Sequence, residues 1–131
     1  FAPIFMEAVA IALKKFPMMN ISVDGDTVIK KKNINIGMAA ALPDGNLIVP
    51  VIKNADQLNL VGMAKAVNDL AARSRDNKLK PDEIKEGTYT VTNVGTFGSV
   101  FDHRVVNGAL GGMFVKAVAD YLEAWDMNRE I

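Results

Sequence analysis

The sequence contains no cysteine, so disulfides, thiolate metal sites and cysteine nucleophiles are excluded, and the redox compartment is left open. It has no excess charge of either sign. Its 15 Lys and Arg balance 15 Asp and Glu, which excludes a disordered polyelectrolyte and a strongly basic nucleic-acid binder. No apolar run approaches the roughly 20 residues of a membrane span, and no basic segment leads into an apolar core and cleavage site. These absences predict no nucleic-acid partner, no membrane partner, and a cytoplasmic location by default, or the mitochondrial matrix in a eukaryote. What remains is a chain of 131 residues, half of them hydrophobic and 23% charged. One domain of that size buries about two-thirds of its unfolded surface without staples. Phe1 stands where an initiator Met is absent, as expected of part of a longer protein.

Pro3 suits the first turn of a helix, and Ile4, Phe5, Ala8, Val9, Ala12, Leu13 and Phe16 recur at helical steps until Pro17, predicting an amphipathic helix over 3–16. Asn20 to Val23 and Thr27 to Lys31 predict a hairpin around Asp24-Gly25-Asp26. Asn33 to Leu42 and Leu47 to Lys53 predict a second extended pair joined by Pro43-Asp44-Gly45-Asn46; Pro50, lacking an N–H, belongs at an edge or bulge. Asn59 is placed to cap a helix that turns Leu60, Met63, Val67, Leu70 and Ser74 inward and Lys65, Asp69, Arg73 and Arg75 to water. Pro81 to Ile84 predicts one short helical turn ended by Gly87, Thr88 to Asn93 a strand, and Gly95 to Ser99 a loop. Leu110, Met113, Phe114, Ala117, Val118, Tyr121, Leu122 and Trp125 carry the strongest helical period, with Asn107 as its cap. Mixed strands and helices with short connections predict an α+β sandwich, a mixed or antiparallel sheet with helices on one face.

His103 is the only histidine, and its unperturbed pKa makes it the first candidate for proton transfer near neutral pH. Taken alone, a lone histidine near the start of a helix is more often a surface or packed residue than a catalyst. It stands in Asp102-His103-Arg104-Val105-Val106-Asn107-Gly108, and this heptapeptide resembles the signature of dihydrolipoamide acyltransferases, the core subunits of 2-oxo acid dehydrogenase complexes, a pattern shared with chloramphenicol acetyltransferase. The stretches Ala41 to Ile52, Leu70-Ala71-Ala72-Arg73 and Gly87 to Gly98 fit the same family in the same order, so that the likeness runs from Phe1 to Trp125.

The resemblance implies a chloramphenicol acetyltransferase-like sandwich. It implies transfer of an acyl group between the thiol of a dihydrolipoyl arm, carried on a separate domain, and the thiol of coenzyme A, with no metal. His103 is then the base that takes the thiol proton, since a free thiol is mostly protonated at neutral pH. Thr92, otherwise an ordinary β-branched strand residue, matches the family's hydroxyl donor to the oxyanion. Asn107 takes the place of the commoner aspartate; it retains an acceptor and a donor but no charge, and either caps the last helix, orients the loop of His103, or bonds near the oxyanion. Asp102 and Arg104 read as ion-pairing and positioning neighbours. Lys30-Lys31-Lys32 reads as a solvated edge rather than a coenzyme A phosphate site, and the glycines at 95 and 98 serve a turn or the approach of a pantetheine arm.

The same resemblance implies a homotrimer assembling into a larger shell, a site shared between subunits, and decarboxylase and dihydrolipoamide dehydrogenase partners engaged through domains absent here. It also exposes a departure. About fifty residues separate the threonine strand from the histidine motif in the family, whereas Val100 runs directly into Phe101 here. Residues 1–131 are therefore expected to be an acyltransferase catalytic domain, truncated at its N-terminus and missing a segment between 100 and 101, with a break in the chain there. Two other functions are compatible with the sequence: a non-catalytic structural assembly core, and an antibiotic O-acetyltransferase.

Overall fold

A computed structural model describes residues 2–93, 97–98 and 108–123, the side chains of 93, 97, 98 and 108–112 excepted. Helix α1 (Ala2–Lys15) is buried over more than one face, at Met6, Glu7, Ala8, Val9, Ala10, Ala12 and Leu13, because α2 (Leu60–Arg75) and α3 (Gly108–Glu123) both pack against it. Its alanines let the neighbouring helices approach closely, and a 3₁₀ turn at Pro17–Met19 follows where proline denies the helix another N–H. Asn59 caps α2 as expected, its Oδ1 accepting from Gly62 N at 2.8 Å, and Met63, Val67, Leu70 and Ser74 are the buried stripe.

The hairpin of β1 (Ile21–Asp24) and β2 (Thr27–Lys30) forms as predicted, but the two turn residues are Gly25 and Asp26, with Gly25 at a φ of 60°. Glycine at the first of two turn positions matches the strand twist without a Cβ penalty. The second extended pair is one hairpin interrupted in the middle. Strands β3 (Ile36–Met38) and β6 (Val51–Ile52) pair near its base, and β4 (Ala40–Ala41) and β5 (Leu47–Ile48) continue the same register towards the turn. The interruption falls at Pro50, which still accepts from Met38 N at 2.9 Å but has no proton to return. Among the described residues, β6 is the edge of a four-stranded mixed sheet in which β3 lies next, then β7 (Tyr89–Asn93), then β8 (Phe97–Gly98), in keeping with the expectation for Pro50.

Strand β7 (Tyr89–Asn93) runs parallel to β3 and antiparallel to β8 (Phe97–Gly98). The last pairing corrects the expected loop over 95–99: two of its residues complete a ladder, too short to leave an alternation in the sequence. Gly87 does not end the 3₁₀ turn at Pro81–Ile84; Glu86 instead takes the left-handed conformation, at a φ of 64°. Ile36, Met38, Ile52, Tyr89 and Val91 face the helices and form the core with Met6, Leu13, Met63, Val67, Leu70 and Phe114. Phe114 of α3 lies edge-on to Phe16 at 6.2 Å and tilted against Tyr89 at 5.6 Å. Met113, expected inside, is 56% exposed, because Phe114 takes the core-facing place beside it. The result is the expected α+β sandwich with helices on one face.

Candidate active site

Thr92, the expected hydroxyl donor, is placed by its strand. Alternation along β7 sends Tyr89 and Val91 into the core and Thr90 and Thr92 to the face away from the helices, where Thr92 is half-buried. Its neighbours in register are small: Gly98 on β8, and Ala39 where the β3 pairing runs on past Met38 with Ala39 N donating to Val91 O at 3.2 Å. Two residues earlier Gly37 lies beside Thr90, and Val49 covers it so closely that an added Cβ would stand 2.8 Å from Val49 Cγ1. Thr92 thus belongs to a paired strand with small residues, Ala39 and Gly98, on both sides.

His103, Asn107, Asp102, Arg104 and the Val100–Phe101 junction lie outside the described residues. The helix that follows them directly is described, and Phe114 ties it to Tyr89, three residues before Thr92 on the same strand. A polar tie lies in the same helix layer: Tyr121 OH of α3 donates to Glu7 Oε1, a buried carboxyl of α1. An apolar groove of about 560 Å³, lined in part by Ile11, Phe16, Met113 and Ala117, lies between α1 and α3, on the opposite side of the sheet from Thr92.

Two positioning features escape a reading of the sequence. Asn35, buried just before β3, accepts from Asn54 N at 2.9 Å through Oδ1 and donates Nδ2 to Glu86 O at 2.9 Å, holding two residues of left-handed conformation. Its backbone carbonyl accepts from Thr88 N at 2.7 Å, so one residue fixes where β7 starts against β3 and hence where Thr92 falls. A polar residue in an extended run gives no local signal of such a role. Arg73, expected to face water, is drawn instead between Asp69 and Glu83, at 2.7 and 2.5 Å, and locks α2 to the 3₁₀ turn that precedes β7. The guanidinium holds the Glu83 carboxyl down to about 2 and that of Asp69 below its ordinary value, and the two carboxylates raise Arg73. Lys30, Lys31 and Lys32 are exposed, in keeping with a solvated edge. Among the described residues no group of three or more acidic, His or Cys side chains is placed to hold a metal ion, and no helix is long and apolar enough to cross a membrane.

Comparison with known proteins defines the class. Residues 1–101 match the 2-oxoacid dehydrogenases acyltransferase (catalytic domain). The lipoamide acyltransferase component of the branched-chain alpha-keto acid dehydrogenase complex of Bacillus subtilis is 50% identical over 82% of this chain, which covers 25% of that protein. The dihydrolipoyllysine-residue succinyltransferase component of the 2-oxoglutarate dehydrogenase complex of the same organism is 42% identical over 86% of this chain and 27% of its own. Among solved structures, a probable dihydrolipoamide acetyltransferase of Listeria monocytogenes superposes over 98% of this chain and 73% of its own with a TM-score of 0.89 and 30% identity. The dihydrolipoamide acetyltransferase of Azotobacter vinelandii, in which a serine, a histidine and an asparagine were investigated for their role in catalysis, gives 0.87 at 28% identity over 94% of this chain and 68% of its own. The chain belongs to the acyltransferase catalytic-domain family of the 2-oxo acid dehydrogenases. It spans about a quarter of the length of the curated relatives it matches.

Proposed function

We propose that this chain is the acyl-transfer core of a 2-oxo acid dehydrogenase complex, exchanging an acyl group between a dihydrolipoyl thiol and coenzyme A. The observation that carries the reading is Thr92, a half-buried hydroxyl on a fixed strand between Ala39 and Gly98, in a chain of this family. His103 takes the proton of the coenzyme A thiol as its sulfur attacks the thioester carbonyl. Thr92 donates to the oxygen that becomes negative, a contribution of about 3 to 4 kcal/mol in a dry site. Collapse of the tetrahedral intermediate breaks the bond to the lipoyl sulfur, and the departing thiolate recovers the proton from His103. Asn107 supports this centre through its amide. In the Azotobacter relative the histidine and asparagine named for catalysis are four positions apart, the spacing of His103 and Asn107, so asparagine at that place accords with the family.

Relatives that are cores of multienzyme complexes, one of them cubic, support assembly into a larger shell, which we take to be built from trimers. Thr92 faces away from the chain's own helices, as a residue offered to a neighbouring subunit's histidine does. Decarboxylase and dihydrolipoamide dehydrogenase components would be engaged through domains outside these residues.

One observation favours a second reading, a structural core without turnover. The serine and histidine of the Azotobacter relative are fifty-two positions apart, whereas Thr92 and His103 are eleven apart, and the family match ends at 101, beside the join. Steady-state transfer to dihydrolipoamide from acetyl-, branched-chain acyl- and succinyl-coenzyme A decides between them and assigns the acyl group. Under the leading reading His103→Ala lowers turnover about a hundred- to ten-thousandfold. Thr92→Ala lowers it about a hundred- to thousandfold while Thr92→Ser retains most of it. Background rates in the unsubstituted chain, with assembly intact, would establish the structural reading instead.

A further inference from the structure

Among the described residues, hairpin β1–β2 pairs with no other strand. β2 is exposed along its whole length, and Val28 and Ile29, 43% and 39% exposed, stand on its opposite faces. A two-stranded hairpin without further cover is marginal in water. Lys31 N donates to Asn20 O at 3.0 Å, so in the alternating pattern of an antiparallel pair positions 27, 29 and 31 bond inward to β1. The N–H and C=O groups of Val28 and Lys30 therefore turn outward. This strand carries opposite charges at its two ends, Asp26 at the turn, with Asp24 beside it on β1, and Lys30, Lys31 and Lys32 at the root.

We infer that the outer edge of β2 pairs antiparallel with β2 of a second copy of this chain, about a two-fold axis at Ile29. In that register Val28 and Lys30 exchange main-chain bonds with Lys30 and Val28 of the partner subunit. Ile29 lies against its own copy, and Asp26 meets the partner subunit's Lys32. A parallel arrangement, or one slid towards the root, sets lysine against lysine, so the charge pattern selects the register. Lysines on a free edge ordinarily discourage pairing; here only an antiparallel copy brings the acidic turn to them. Two such strands bury far less than the roughly 1,200 Å² of a stable interface, so the contact adds to copies already held together elsewhere. The inference is independent of catalytic competence.

The absence of cysteine makes the test clean, because Ile29→Cys introduces the only thiol in the chain. Directly opposed residues at such a position have Cβ atoms about 4.5 to 5.5 Å apart, at the margin of disulfide reach. Mild oxidation of the whole 131-residue chain carrying Ile29→Cys is expected to give a linked dimer. Ser22→Cys, on the same face but one strand further in, is expected to give none. Adding Asp26→Lys to Ile29→Cys should abolish the dimer, and adding Lys32→Asp as well should restore it. The Val28 and Lys30 amides should be more protected from hydrogen exchange in the unsubstituted chain than in Asp26→Lys, a comparison that needs no introduced thiol. Equal exchange in the two, an Ile29→Cys chain that stays unlinked, or a dimer indifferent to Asp26→Lys overturns the inference and leaves β2 a solvated edge.

Discussion

A methyl group at Gly37 would press to 2.8 Å on Val49 Cγ1 and 3.4 Å on Thr90 Oγ1, on the face of the sheet that carries Thr92. Gly37→Ala should therefore cost about 1 to 3 kcal/mol, as overpacking of a well-filled site does. Thermal unfolding measures it, and Val49→Ala in the same background should return part of the loss; an unchanged melt would mean that Val49 simply moves aside. Nothing in the local sequence marks Gly37, since its reason is a side chain twelve positions away. Thr92 is similarly mute by itself, a β-branched residue in a β-favouring run, and is proposed for a role only because of the surrounding family pattern. Asn35 is the extreme case: its bonds to Glu86 and Thr88 span 51 and 53 positions, and no window along the chain includes both ends.

At the scale of elements, α1 and α2 were legible because burial on one side of a helix writes a three-to-four period, and Asn59 and Pro17 mark ends by plain backbone chemistry. β8 was not, since two residues cannot show a period. Nor was the clamp between α2 and the turn before β7, because Arg73 sits ten positions from Glu83 on the side of the helix that periodicity assigns to water. This clamp carries a pH dependence. The folded-state pKa of Glu83, about 2, is depressed from an ordinary 4.5, so the pair stabilises the fold in full above about pH 4.5 and is lost as pH falls towards 2. Asp69 contributes in the same sense. Urea midpoints followed across that acid range should fall more steeply for the unsubstituted chain than for Glu83→Gln; parallel curves would show that the pair adds nothing beyond its solvated charges.

At the scale of the whole molecule, the proposed function makes turnover depend on the distance along the chain from Thr92 to His103, eleven positions. Restoring between 100 and 101 the intervening segment of the Azotobacter relative is expected to raise turnover, by roughly a hundredfold if the direct join misplaces the histidine by about 1 Å. Equal turnover with and without the segment would show that the short join already sets the site. Composition and periodicity by themselves determined the helices, the hairpin turns and the α+β class, because each follows from contacts within a few residues. The tertiary structure alone decided which strand lies beside which, how Asn35 sets β7 against β3, and the small walls of Ala39 and Gly98 around Thr92. Those depend on atoms brought together from remote parts of the chain, where steric fit and satisfied hydrogen bonds, rather than local preference, choose among arrangements.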